Sequence, residues 1–125
     1  MKKLIMKRLI KKVITEIEKT EYWDARVLRL ESLYFMDSLI LEYEYDEKHN
    51  VVICFKRCYD INFSHWIEYK KTPDYAHLTI GQIPYFIQKI DVSNKNEKLE
   101  FKINAWPLDL YILCDDIDVS YKNII

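Results

Sequence analysis

The first part of the chain follows a helical hydrophobic pattern. Between residues 3 and 19, apolar side chains recur at steps of three and four residues, and lysine, arginine and threonine fill the other side. The apolar side covers about half of the circumference, which is typical of a helix docked on a sheet. The pattern predicts a helix over residues 3–19. The residues expected to contact the rest of the protein are Ile5, Leu9, Val13 and Ile17.

Further along the chain the pattern changes to the alternation of strands. Residues 27–35 form a run of β-branched, apolar and aromatic residues with polar interruptions. The clearest period of two lies in residues 39–56 and is interrupted by the polar stretch 46–50, which predicts a β-hairpin. A bulge or sharp bend is expected near Arg57 and Cys58. Continuing in this way to residue 121, the pattern predicts about seven or eight short strands.

One helix followed by strands at hairpin spacing predicts an α+β fold. The expected architecture is a curved antiparallel sheet or small sandwich with the helix on one face or end. No βαβ alternation occurs in the pattern, so a parallel, doubly wound fold is not expected. The length of 125 residues and the hydrophobic content of 50% are sufficient for one core. We therefore expect a single domain over residues 1–125, with a helix at 3–19 and a β-rich body at 26–121.

Charge is distributed unevenly, although the formal net charge is only −1. The first fourteen residues hold six basic and no acidic side chains, which leaves 13 basic against 20 acidic side chains in the rest of the chain. An acidic body argues against nucleic acid as the main partner and favours a basic protein. The sequence shows neither a membrane-spanning apolar segment nor the continuous apolar core of a signal peptide. We therefore expect a cytoplasmic protein.

The sequence contains no recognisable catalytic, cofactor-binding or metal-binding motif. Cys54, Cys58 and Cys114 lack the paired spacing of a structural zinc site, and the three histidines share no ligand spacing with them. With a single glycine, the chain cannot form a glycine-rich phosphate-binding loop. We expect a protein that is not an enzyme and holds no cofactor or metal. Its cysteines are expected to be reduced and to pack as small apolar side chains.

Three stretches contain candidate partner-binding residues. Residues 64–77 are irregular and polar but contain Trp and Tyr, which commonly anchor interfaces. Residues 81–90, GQIPYFIQKI, contain the only glycine and one of three prolines, and predict either a bent edge strand or a binding rim. Residues 115–118 form an acidic cluster that predicts either a turn or a site that attracts a basic partner. The candidate residues are Trp66, Glu68, Tyr69, Asp74, Tyr75, Gln82, Tyr85, Gln88, Asp115, Asp116 and Asp118.

The small size, the acidic body, the absence of catalytic motifs and the stretch QIPYFIQ (82–88) resemble the immunity proteins that accompany bacterial toxins. This resemblance implies a stoichiometric inhibitor, of the immunity or antitoxin type, that occludes the active site of a toxin. A first alternative is a small-ligand-binding protein or enzyme with an aromatic-lined apolar pocket in its curved sheet. A second is a structural subunit of a homo-oligomer joined through an edge strand.

Overall fold

A computed structural model describes residues 2–65 and 85–125 of the chain. Within these residues, one helix precedes a single antiparallel sheet with the strand order β1-β2-β3-β6-β5-β4. The elements are α1 (Lys2–Glu18), β1 (Val27–Leu33), β2 (Ser38–Glu44), β3 (His49–His65), β4 (Lys89–Lys95), β5 (Lys98–Ala105) and β6 (Leu108–Asn123). The predicted α+β class is confirmed.

The sheet has six strands in the described residues, so the expected number of seven or eight is wrong. The difference arises because β3 and β6 bend where the sequence pattern predicted that strands end. In β3, Arg57 has a positive φ of 53°, and the register shifts between Cys58 and Asp60. β6 continues opposite this bulge through residues 115 and 116. Because a bulge bends a strand without ending its pairing, the two strands remain partners along their whole length.

At one end of the open sheet, the residues that precede its two edge strands are hydrogen bonded to each other. The N–H of Val27 in β1 donates to the carbonyl oxygen of Tyr85 at 2.7 Å, and the N–H of Ile87 donates to the carbonyl oxygen of Ala25 at 2.9 Å. Residues 85–87, which lead into β4, therefore pair with the start of β1. These bonds satisfy backbone groups that would otherwise remain free at the sheet edges. This pairing agrees with the predicted curvature.

The core lies between α1 and one face of the sheet. Alternate residues of β2, β3, β5 and β6 fill it, and at its centre the rings of Phe55 and Phe101 meet edge to face with their centroids 4.9 Å apart. The hydroxyl groups of Thr20 and Tyr43 are hydrogen bonded at 2.6 Å. Both side chains are fully buried, so this bond connects the segment after α1 to the sheet without leaving a polar group unsatisfied.

α1 packs on the sheet through a stripe that differs from the predicted one at its first turn. Val13 and Ile17 are buried and Leu9 is partly buried, as expected. Ile5 is 59% exposed, so its predicted contact is wrong, and Met6 is buried instead. In a helix of 3.6 residues per turn, a step of four residues passes one full turn by about 40°. Three such steps separate Ile5 from Ile17, so the two side chains point about 120° apart around the helix. No helix in the described residues is long and apolar enough to cross a membrane.

Candidate functional site

The predicted partner-binding residues fall into two groups. One group lies outside the residues that the structure describes, and its role stays a prediction. This group comprises Trp66, Glu68, Tyr69, Asp74, Tyr75 and Gln82. The described candidates occupy two separate places, which are the segment before β4 and the bend of β6.

Tyr85 and Gln88 lie in the segment that connects the two sheet edges. The hydroxyl group of Tyr85 and Nε2 of His65 are hydrogen bonded at 2.7 Å. The backbone N–H of Gln88 donates to the carbonyl oxygen of Asn104 in β5 at 2.8 Å, and Gln88 is exposed. Residues 85–88 therefore bond to the sheet without forming a regular strand, β4 begins at Lys89, and residues 81–84 of the predicted stretch lie outside the described residues.

Asp115 lies at the bend of β6, directly opposite the bulge of β3. Its Oδ2 accepts a hydrogen bond from the hydroxyl group of Tyr59 at 2.8 Å and one from Nε of Arg57 at 3.3 Å. The hydrogen bond to the carboxylate raises the pKa of the Tyr59 hydroxyl above its ordinary value, because the bond favours the protonated phenol. Asp115 therefore holds the ends of two side chains of the bulge at the surface.

Asp116 and Asp118 line a groove between β6 and α1. Asp118 forms an ion pair with Lys56 of β3, and the hydrogen bond in this pair raises the pKa of the lysine. The Asp116 carboxylate accepts the N–H of Ile117 at 2.8 Å. Of the three aspartates, Asp115 and Asp118 are thus paired with basic residues of β3. A partner approaching the bend meets mixed charge instead of a purely acidic cluster.

The sequence prediction did not include the turn between β1 and β2, where the most exposed aromatic residues of the described chain lie. Phe35 is fully exposed, Tyr34 is 75% exposed and Met36 is 43% exposed. All three have positive φ angles, of 53°, 56° and 74° in chain order. The left-handed conformation costs a non-glycine residue about 1–2 kcal/mol. The one available signal is the apolar run from Leu33 to Met36, which is inconsistent with an alternating strand.

This turn and the bulge of β3 are joined by a backbone hydrogen bond. The N–H of Cys58 donates to the carbonyl oxygen of Asp37 at 2.9 Å. Tyr59 follows directly and is 58% exposed, with Nζ of Lys98 4.5 Å from the centre of its ring. The turn, the bulge and Asp115 are therefore linked by hydrogen bonds, and we refer to their exposed residues together as the turn–bulge surface. It consists of Tyr34, Phe35, Met36, Arg57, Tyr59 and Asp115.

The composition of the turn–bulge surface is that of a binding site for a protein. Exposed apolar side chains with charged neighbours mark interaction sites, and aromatic residues, methionine and arginine are enriched in interfaces. Backbone strain that is held by the surrounding structure is also common at functional sites. In residues 2–65 and 85–125, no cluster of three or more His, Cys, Asp or Glu side chains is arranged to hold a metal ion.

A second cluster of charged residues surrounds Glu42, on the face of the sheet opposite the core. The Glu42 carboxylate accepts hydrogen bonds from Nε of Arg29 at 3.1 Å and from Nδ2 of Asn50 at 2.9 Å, and Nζ of Lys122 lies 3.6 Å away. Glu42 is only 5% exposed. Burial acts to raise its pKa, but the hydrogen bond from Asn50 and the two cations outweigh burial, and the pKa is lowered. The cluster joins β1, β2, β3 and β6.

Comparison with known proteins identifies one family and one related fold. Residues 9–121 match the family model described as Immunity protein PIM7. Among solved structures, the chain is similar to an uncharacterized protein from Neisseria gonorrhoeae, with a TM-score of 0.58 and 12% sequence identity. The match covers 79% of this chain and 92% of that one, and at this identity it concerns the fold alone. No curated protein matches the chain.

Proposed function

Because the chain belongs to the Immunity protein PIM7 family, we propose that it is a non-enzymatic inhibitor that binds a toxin and occludes the toxin's active site. The match over residues 9–121 is the observation that carries this proposal. It extends over the second half of α1, strands β1 to β5 and β6 as far as residue 121. The proposal includes a basic toxin as the partner and the bacterial cytoplasm as the place of action.

We assign the contact with the toxin to the turn–bulge surface. A few well-placed aromatic side chains contribute most of the affinity in protein interfaces. Tyr34, Phe35 and Tyr59 are exposed in the free protein, so binding would remove their apolar area from water. The left-handed turn also fixes the backbone that carries Phe35, so little backbone entropy is lost on binding.

Charge is expected to affect the rate of association more than the affinity. The acidic body attracts a basic partner over long range, whereas the aspartates at the bend of β6 are mostly paired with Lys56 and Arg57. Replacement of Asp115, Asp116 and Asp118 by asparagine should therefore slow association and reduce its dependence on salt. The dissociation rate should change less. Stopped-flow measurements at several salt concentrations distinguish the two effects.

The aromatic residues of the inner sheet face favour protein binding over a ligand pocket. Tyr43, Phe55 and Phe101 are each fully buried and pack in the core between α1 and the sheet. These side chains are therefore occupied by packing and do not line a cavity for an apolar ligand. The aromatic residues with the largest exposed fractions in the described chain, Tyr34 and Phe35, lie in the turn between β1 and β2, where a protein partner can reach them.

The direct test measures inhibition and binding of the toxin encoded beside the gene for this chain. Replacement of Phe35 by alanine should weaken binding to an inactive toxin variant by about 30-fold, or about 2 kcal/mol, without loss of folding. Phe63→Ala is the matched control, because Phe63 is also an exposed phenylalanine but lies beyond the bulge. Isothermal titration calorimetry provides both affinities.

The possible failures of this test are distinguishable. Unchanged affinity in Phe35→Ala, or an equal loss in Phe63→Ala, would contradict the assignment to the turn–bulge surface. Absence of any inhibition by the unaltered protein would contradict the inhibitor proposal itself.

A further inference from the structure

Two cysteines face each other at the centre of the long strand pair. Cys58 of β3 and Cys114 of β6 are direct partners in the antiparallel register. Opposed residues of antiparallel strands have their Cα atoms about 4.5–5.5 Å apart, which lies within the range that a disulfide spans. Both cysteines pack in or against the core, and both are free thiols. The positions of the two residues therefore meet the main geometric requirement of a cross-strand disulfide.

The two thiols have different surroundings. Cys114 is fully buried, and its Sγ lies 3.5 Å from the carbonyl oxygen of Asp116. Cys58 is partly exposed and borders a depression beside Tyr59. The hydrogen bond between the two sulfur groups lowers the pKa of Cys58. The same bond raises the pKa of Cys114, and burial raises it further. Cys58 is thus the more reactive and accessible thiol, and Cys114 is placed to react with it.

We propose that Cys58 and Cys114 are a redox-sensitive pair that closes into a disulfide when the protein meets a two-electron oxidant of the hydroperoxide class. The Cys58 thiolate attacks one peroxide oxygen, the O–O bond breaks, and the products are a Cys58 sulfenic acid and hydroxide, which takes up a proton to give water. The Cys114 sulfur then attacks the Cys58 sulfur. The S–S bond forms, the S–O bond breaks, and the second water leaves with the proton of Cys114. With hydrogen peroxide as the oxidant, two thiols are oxidised to one disulfide and one peroxide is reduced to two waters.

Cys54 provides an internal control, because it is a third thiol without this arrangement. It lies on β3 opposite Asp118, so no cysteine faces it across the strand pair. Burial raises its pKa, which makes its thiolate less available than that of Cys58. Oxidation should therefore select the pair and leave Cys54 as a free thiol.

The disulfide would connect redox state to the turn–bulge surface. The N–H of Cys58 holds the β1–β2 turn through Asp37, and Tyr59 is the next residue of the bulge. A bond between Cys58 and Cys114 would fix the bulge against β6 and restrict the motion of both neighbours. Closure of the bond does not depend on the proposed inhibitor function, since it requires no partner.

The experiment uses the reduced full-length protein, treated with hydrogen peroxide and then alkylated. Peptide mapping should find one intramolecular disulfide between Cys58 and Cys114, with a mass loss of two hydrogens and an alkylated Cys54. The melting temperature should rise by about 10 °C or more and return on addition of dithiothreitol. Cys54→Ser should behave like the unaltered protein, whereas Cys58→Ser should form no intramolecular disulfide.

Three results would overturn the proposal. They are a disulfide that includes Cys54, a covalent dimer as the main product, and irreversible oxidation of Cys58 to a sulfinic acid without pairing. Circular dichroism checks the fold of Cys58→Ser. If that variant does not fold, the peptide map of the unaltered protein still decides the outcome.

Discussion

The Glu42 cluster and the turn–bulge surface lie on the same sheet but use their side chains in different ways. Around Glu42, a nearly buried carboxylate accepts hydrogen bonds from Arg29 and Asn50 and has a second cation, Lys122, within reach, and its pKa is lowered in spite of burial. At the turn–bulge surface, a fully exposed phenylalanine lies in a left-handed turn with two exposed neighbours. The charged side chains around Glu42 find their partners within the chain, whereas the apolar side chains of the turn remain exposed to water.

This difference is the basis on which we propose a structural role for the Glu42 cluster and a binding role for the turn–bulge surface. Reasoning from the sequence selects charged residues as candidates for binding and does not select a phenylalanine beside a strand. In the structure, Glu42 is engaged by its own chain, whereas Phe35 has unfavourable exposure and an unfavourable backbone conformation. Unfavourable local features that the fold retains are the better indication of a binding site.

The largest expected effect on stability is at the Glu42 cluster. Glu42→Ala should lower the free energy of unfolding by about 2 kcal/mol, because Asn50 and two cations lose their acceptor. Glu44→Ala is the matched control on the same strand, and it should change stability by less than about 0.5 kcal/mol because Glu44 is exposed. Urea denaturation provides both values. An equal loss of stability in Glu42→Ala and Glu44→Ala would contradict a stabilising role of the cluster.

A second prediction asks whether the binding site extends beyond the described residues. If Trp66 is an anchor, as its sequence context predicts, Trp66→Ala should weaken toxin binding by about 2 kcal/mol and leave the fold intact. A double-mutant cycle with Phe35→Ala then tests whether the two residues act in one interface. Unchanged affinity in Trp66→Ala would restrict the site to the turn–bulge surface.

A third prediction uses the left-handed turn to separate stability from binding. Phe35→Gly should be more stable than Phe35→Ala by about 1 kcal/mol, because glycine adopts a positive φ without the steric cost that alanine bears. Both variants should lose toxin affinity to a similar extent, since both lack the ring. Thermal denaturation and calorimetry measure the two properties. If alanine were the more stable, the turn would not be strained.

The smallest effect concerns the pH dependence of stability. The pKa of Glu42 is lowered in the folded protein, so the unfolded state binds more protons than the folded state in acidic solution. The stability contributed by this carboxylate is present above the unfolded pKa and is lost as pH falls through the folded pKa. Glu42→Gln should therefore flatten the decrease in stability below about pH 4.5. Identical acid profiles for the two proteins would show that other groups determine the decrease.

Local patterns in the sequence predicted the elements that depend on local spacing. The helix, the hairpin of β2 and β3 and the α+β class follow from periodicity, and the resemblance to immunity proteins is confirmed by the family match. The number of strands was not predicted correctly. Residues 57–59 and 115–116 have the polar, irregular pattern of turns, but β3 and β6 continue through them. Local pattern does not distinguish a bulge from a chain reversal.

The turn–bulge surface and the cysteine pair were not predictable for a different reason. Phe35 is apolar, so its place in the sequence pattern predicts a buried position in a strand, although the structure leaves it exposed. The contact of Cys58 with Cys114 requires the register between strands that are distant in sequence. The cysteine contact is thus a property of long-range pairing, which no local interval of the sequence encodes.

The long pairing of β3 with β6 has a consequence for how the protein forms. β6 is a central strand, with β3 on one side and β5 on the other, yet it follows all the other strands in the chain. The hairpins β1-β2-β3 and β4-β5 are therefore synthesised before the strand that joins them. Closing such long loops is slow compared with forming local hairpins. The pairing of β3 with β6, from His49 opposite Asn123 to His65 opposite Leu108, must form at this late step. The two halves of the sheet can therefore pair through β6 only after this last strand has been synthesised.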